Sequence, residues 1–229
     1  MVRTDVLIER LSSPNVGGAL VTPRGVMLHS TRSGKDNTPQ EEYNGTVNWF
    51  MNKWGKSDAS SHALVGHDRI ALLVPLTRQA YHAKENNSTH LSIEFVQAKT
   101  TTPYVGFQYD VGAWLTRLWC GEFGIPMERV LSQYKRGIIS HDDSEQGKRD
   151  GKSDVGKSFD WRKFMESVTN MDAEKEKQIT EHLNMMWGYK EHLRHTVLLL
   201  GHAVDRMNEA VGALDERILA IKKLVVEGS

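Results

Sequence analysis

The sequence predicts an α/β fold, a single central mixed β-sheet flanked by helices, followed by a long C-terminal helical segment. Two observations predict it. Over residues 1–170, short apolar runs bounded by Gly, Pro, Asn and Asp alternate with stretches whose apolar residues recur three and four apart. That is the pattern of strands interleaved with amphipathic helices. From Ile179 the three-four spacing continues almost unbroken to Val225, as in a helix that presents one apolar seam. A chain of 229 residues has room for one domain and an extension, so the boundaries are drawn as 1–170 and 171–229.

Each element has a local reason. Pro23 and Arg24 form a turn, and Gly25 to His29 reads as a strand. Thr38-Pro39-Gln40-Glu41 reads as a helix start: Thr38 caps, Pro39 suits the first helical position and Glu41 closes a capping box. The helix carries Val47, Phe50, Met51 and Trp54 on one face and stops at Gly55. Ser61 to Val65 and Ile70 to Val74 read as a hairpin around Gly66-His67-Asp68, and Leu91 to Val96 as another strand. Gln108 to Phe123 is an amphipathic helix ended by Gly124-Ile125-Pro126. Gly137 to His141 is a short strand, Gly147 to Lys152 a polar loop, and Phe159 to Val168 a helix.

Composition excludes several function classes. Formal net charge is zero, which gives no electrostatic footprint for nucleic acid or an anionic membrane surface. No apolar run approaches the length of a membrane span. The N-terminus, Met1-Val2-Arg3-Thr4-Asp5, lacks the apolar core of a signal peptide, so synthesis in the cytoplasm is expected. The single Cys120 permits no internal disulfide, and its apolar helical setting reads as a buried, inert thiol.

The residues with the most chemistry are His29, His141 and Asp154. Both histidines end apolar runs, in Leu28-His29-Ser30 and Ser140-His141-Asp142, and the aspartate follows in Lys152-Ser153-Asp154. Two imidazoles and one carboxylate would leave the fourth position of a zinc ion open for a water, the layout of a hydrolytic site. A histidine at a strand end is, taken alone, more often structural than a ligand, and the chain has ten.

These residues sit in a longer series. Leu28-His29-Ser30, Ser60-Ser61-His62-Ala63, Ala80-Tyr81-His82-Ala83, Ser92-Ile93-Glu94, Phe123-Gly124-Ile125-Pro126, Ser140-His141-Asp142 and Lys152-Ser153-Asp154 follow one another in order. In this the chain resembles the zinc-dependent N-acetylmuramoyl-L-alanine amidases of the phage-lysozyme and peptidoglycan-recognition-protein type, over about residues 20–168. The resemblance implies zinc held by His29, His141 and Asp154, with Asp where some relatives have Cys. It implies Glu94 as general base and acid, Lys152 beside the oxyanion, and His82 in contact with substrate. Strand alternation agrees for Glu94: Ile93 and Phe95 face the core, so Glu94 faces the cleft with Ser92. Asp142 or Asp143 is expected to orient an imidazole, His62 to be structural and His90 to face solvent. Two positions depart from the family pattern. Ser61 stands where one branch has a catalytic Tyr, which favours the branch served by Glu94 and Lys152, and Val155 replaces a common proline.

The tail from Ile179 to Val225 has β-branched residues at many a positions and Leu, Met or Ile at d, with Lys190 the one polar a residue. That favours a parallel coiled coil and a homodimer. Gly188, Gly201 and Gly212, with few salt-bridge partners at g, leave open the alternative of helices packed within the chain. The expected activity is cleavage of the bond between N-acetylmuramic acid and L-alanine in peptidoglycan or muropeptides. A chain without a signal peptide and with a helical tail looks most like a phage endolysin. A cytosolic muropeptide-recycling amidase and a non-catalytic peptidoglycan-recognition module are the alternatives.

Overall fold

A computed structural model describes residues 7–20, 22–52, 58–171, 174 and 177. The chain divides into two compact units, Met1–Glu176 and Lys177–Ser229. The expected coiled coil over 179–225 and its four histidines lie outside the described residues.

Among the described residues the first unit has eight strands: β1 (Leu7–Arg10), β2 (Val16–Ala19), β3 (Gly25–Ser30), β4 (Ala63–Val65), β5 (Arg69–Leu72), β6 (Arg78–Ala80), β7 (His90–Phe95) and β8 (Gly137–Ser140). The helices are α1 (Pro39–Met51), α2 (Gly106–Phe123), α3 (Glu145–Arg149) and α4 (Trp161–Asn170). Six strands form a mixed sheet in the order β1-β5-β4-β7-β3-β8, and β2 pairs with β6 in a separate antiparallel ribbon. The β4–β5 pair is the expected hairpin, with Ala63 opposite Leu72, and every other pair in the large sheet is parallel.

Burial explains the layers. β3, β4 and β8 are buried at every residue, which is why they read as continuous apolar runs rather than alternating ones. α1 lays Tyr43 and Phe50 against Leu64, Ala71, Leu73 and Val96. The capping box at its start is present, with the Glu41 backbone N–H donating to Thr38 Oγ1 and the Thr38 N–H to Glu41 Oε2. α2 and α4 pack around Phe95, whose ring lies 6.0 Å from Tyr104, 5.6 Å from Phe159 and 6.3 Å from Phe164. Gly112 permits this approach: a Cβ there would come within 2.5 Å of the Phe95 ring. α2 ends at Gly124, which takes the left-handed conformation at φ 60°. Cys120 is buried, and burial pushes its thiol pKa up to about 12, which keeps it inert.

The structure departs from the sequence reading in four places. β1, β2 and β6 are too short to show a period and were not expected. α4 begins at Trp161 because Asp160 caps it, accepting from the Lys163 N–H at 3.0 Å. The polar loop expected at 147–152 is partly helical: Ser144 accepts from the Gly147 N–H at 2.9 Å and starts α3. His90, expected at the surface, is fully buried. No described helix is long and apolar enough to cross a membrane.

Candidate active site

Strand register assembles the site. β3 lies between β7 and β8, and all three are parallel. His29 pairs with Glu94, and Leu28 pairs with Ser140, so the next residue, His141, comes alongside His29. Paired residues share a face of the sheet, and their inward neighbours Leu28 and Ile93 are fully buried on the other. The group stands at the carboxyl ends of parallel strands, where open α/β sheets bind ligands.

Asp154 arrives from the loop after α3 and is fastened on both sides. Its carbonyl accepts from the Asp142 N–H at 2.8 Å and from Ser140 Oγ at 3.0 Å, and the Val155 N–H donates to Ser140 Oγ at 2.9 Å. Arg32, three residues after His29, clamps the same loop. Its guanidinium donates to the Ser153 carbonyl at 2.5 Å, to the Val155 carbonyl at 2.7 Å and to Gln97 Oε1 at 3.1 Å. These bonds hold Arg32 in a left-handed conformation at φ 46°, which a side chain disfavours. Gly147 is a second close approach, since a Cβ there would lie 2.0 Å from the His141 carbonyl oxygen.

Three atoms meet at the centre. His29 Nδ1 lies 3.1 Å from His141 Nδ1 and 3.2 Å from Asp154 Oδ2, and His141 Nδ1 lies 3.0 Å from the same oxygen. The outer nitrogens decide what these atoms carry. His82 Nε2 is 3.1 Å from the His90 carbonyl, which only accepts, so that nitrogen holds the proton. His82 Nδ1 is then an acceptor and takes the His29 Nε2–H across 3.0 Å. The Gln146 amide nitrogen donates to Asp150, so its oxygen faces His141 Nε2 and accepts that N–H at 3.1 Å. Burial, with His141 beside it, lowers the His29 pKa to about 4, and burial with the His29 charge beside it holds His82 well below 6.5, so both are neutral at pH 7.

With one proton on each ring, held on the outer nitrogen, both Nδ1 atoms present lone pairs to each other and to a carboxylate oxygen. Three lone pairs that converge without a proton between them make a donor set that a cation would fit. A tetrahedral ion with ligand bonds of about 2.0–2.2 Å spaces its ligand atoms by roughly 3.3–3.6 Å, slightly wider than the observed triangle of 3.0–3.2 Å. Among the described residues this is the one group of three or more His, Cys, Asp or Glu fit to hold a metal.

The triangle opens into a cleft of about 660 Å³ that also takes in Glu94, Lys152, Tyr81 and one stripe of α1, Glu42, Gly45, Thr46 and Trp49. Glu94 is half-buried in the wall. Burial and the nearby Asp154 carboxylate push it well above the usual carboxylate range, against the pull of Lys152 and Arg32. Glu42 is structural: it accepts from the Ser33 N–H at 3.2 Å and from Asn37 at 2.8 Å, shaping the loop before α1.

The expected residues gather as a group, with exceptions. His29, His141, Asp154, Glu94 and Lys152 all line the cleft. His82 lines it too, but both its ring nitrogens are engaged inside the protein, which leaves no polar ring atom for a substrate. Neither Asp142 nor Asp143 orients an imidazole. Asp142 accepts from Ser140 Oγ and Asp143 pairs with Arg129, while Gln146 takes the His141 ring. Ser92 lies under the cleft, tied to His62 and Ser61. Ser61 is buried with its hydroxyl 3.0 Å from the Ser92 carbonyl, away from the reactive face. His62 is structural, as expected. Arg32 and Gln146 carry no sequence signal beyond lying three residues after His29 and five after His141.

A family model described as N-acetylmuramoyl-L-alanine amidase matches residues 20–157, well over half the chain. The chain belongs to that family. The matched segment contains the whole triangle, Glu94 and Lys152. Solved structures agree on the amidase fold. A selenomethionine derivative of AmpD is 21% identical, covering 71% of this chain and 94% of its own at a TM-score of 0.55. The Staphylococcus aureus hydrolase AmiA, solved with its ligand, is 14% identical, covering 76% and 84% at 0.52. PlyL is 14% identical, covering 74% and 99% at 0.51. At these identities the likeness is one of fold, and it agrees with the central mixed sheet and flanking helices of this amidase. Among curated protein sequences nothing matches.

Proposed function

We propose that this amidase hydrolyses the bond between the lactyl group of N-acetylmuramic acid and L-alanine in peptidoglycan, that zinc is its resident ion, and that it serves as a phage endolysin. The observation that carries the reading is the triangle of three lone-pair donors opening beside Glu94. His29 Nδ1, His141 Nδ1 and Asp154 Oδ2 would hold the zinc, which supplies Lewis acidity the chain lacks. The rest falls to side chains. Glu94, held protonatable by burial, takes the proton of the water that attacks the lactyl carbonyl carbon. As the C–N bond breaks, it returns that proton to the nitrogen of L-alanine. Lys152 sets an ammonium beside the oxygen on which charge develops. Trp49 and Tyr81, exposed on the cleft wall, offer ring faces to a sugar. That exposed rim supports a substrate carried on glycan strands over a small soluble fragment.

Mass spectrometry of digested peptidoglycan tests the reaction. The expected products are peptides with new L-alanine N-termini and muramic acid with a free lactyl carboxylate. Digestion should stop with a chelator, resume with zinc, and fail for His29→Ala, which should lose the metal. Cleavage at a glycosidic or cross-link bond would refute the assignment, and binding without cleavage would point to a recognition module. Clearing of intact sacculi supports the endolysin role, whereas turnover of soluble muropeptides alone would make this a recycling enzyme.

The tail reading adds a partner. The seam from Ile179 to Val225 supports pairing of two chains through a coiled coil. Light scattering of the full chain is expected to give a dimer. A monomer would return the helices to packing within the chain.

A further inference from the structure

The two inner imidazoles reach the same tautomer by different routes. Behind His29 stands His82, with His82 Nδ1 at 3.0 Å and the far side of the ring fixed by the His90 carbonyl at 3.1 Å. Behind His141 stands Gln146, with its oxygen at 3.1 Å and its amide turned by the Asp150 carboxylate. Each chain ends on a group that only accepts. For singly protonated rings the order of protons therefore has one outcome: N–H outward, lone pair toward Asp154. The supports are themselves anchored. The His82 and Ala83 N–H groups donate to Asn87 Oδ1 at 3.0 and 2.7 Å, and Lys84 Nζ meets Asp150 Oδ2 at 2.6 Å. One turn thus backs both ligand histidines.

We propose that His82 and Gln146 are positioning residues of the metal centre, each fixing the tautomer and ring orientation of one ligand histidine, and that His82 serves the metal rather than the substrate. An imidazole without such a partner divides between two tautomers and two ring flips, and only one combination presents Nδ1 as a lone pair to the ion. Loss of an outer partner of this kind typically costs about 10–100-fold in metal affinity. The inference rests on the metal reading of the site and not on the identity of the substrate.

The test is zinc affinity of the full chain, measured by competition with a chelating dye. His82→Leu and Gln146→Leu are each expected to bind zinc about 10–100-fold more weakly than the unmodified chain. His82→Gln keeps an acceptor toward His29 and a donor toward the His90 carbonyl, so it should recover most of the loss. The visible spectrum of bound cobalt should change in the Leu variants and return in His82→Gln. With saturating zinc, His82→Leu should keep its KM. Unchanged zinc affinity with a raised KM would overturn the proposal and put His82 on the substrate. If His82→Leu does not fold, Gln146→Leu and His82→Gln carry the test, and unaltered affinity in Gln146→Leu, or loss in His82→Gln equal to that of a ligand variant, would overturn it. An unmodified chain that takes up no zinc would instead remove the metal reading itself.

Discussion

Glu94→Gln is expected to keep its zinc and its fold while losing about 10²–10⁴ in turnover of peptidoglycan, the usual scale of general acid–base catalysis. The side chain pairs in register with His29 and faces the cleft, so its removal changes the proton path and not the ligand set. The same substitution should stabilise the metal-free protein at neutral pH. Burial and Asp154 raise the Glu94 pKa in the folded state. For a raised carboxyl the cost of ionising in the fold accrues as pH rises above its unfolded value of about 4.3 and is complete once pH passes its folded value. Gln carries no such cost, so metal-free Glu94→Gln should melt higher at pH 7. Lys152→Ala is the companion. It should lose roughly 10²–10³ in rate if its charge serves the oxyanion. Near-normal rates in both variants with zinc still bound would sink the mechanism, and a lower melting point for Glu94→Gln would contradict the electrostatics.

Acid should unfold the metal-free protein between about pH 6.5 and pH 4. His62 and His90 are buried, and burial lowers each pKa from 6.5 to about 4. His62 has no room for a second proton: its Nδ1 accepts the Ser92 N–H at 3.0 Å and its Nε2 faces the Arg78 carbonyl. Both residues are neutral in the fold and charged in the unfolded chain across this window, so the unfolded state binds more protons and stability falls as pH falls. By pH 4 each removes about 3 kcal/mol, against a typical domain stability of about 5–15 kcal/mol. Two such sites together remove about 6 kcal/mol, a large share of that stability. Near-ultraviolet circular dichroism followed through a pH titration should lose its signal within that window. His62→Gln, which donates and accepts without titrating, should move the midpoint to lower pH. A signal constant down to pH 4, or a midpoint unmoved by His62→Gln, would show that these rings are hydrated or charged in the fold.

How far the sequence went depends on the range of the interaction. The capping box at Thr38 and Glu41 involves neighbours on one turn, and the left-handed cap at Gly124 is a property of glycine, so both were legible. The buried strands β3 and β8 are legible as apolar runs, and the histidines at the close of those runs point to one centre. α3 was read as loop because its cap, Ser144, starts too short a helix to show a period. His90 was misplaced because its position on β7 is covered by elements far away in the chain, which no local pattern records.

The sequence by itself determined the inventory: a mixed α/β domain of the amidase family, and the histidines and carboxylates proposed above as ligands and acid–base group. Only the tertiary structure decided how those residues are held. His29 meets His82 from 53 positions away, and Arg32 reaches Ser153 from 121. Hydrogen-bond direction at such contacts depends on angles and tautomers within a few tenths of an ångström. Residue type and spacing encode which atoms can meet; packing alone sets which nitrogen bears the proton.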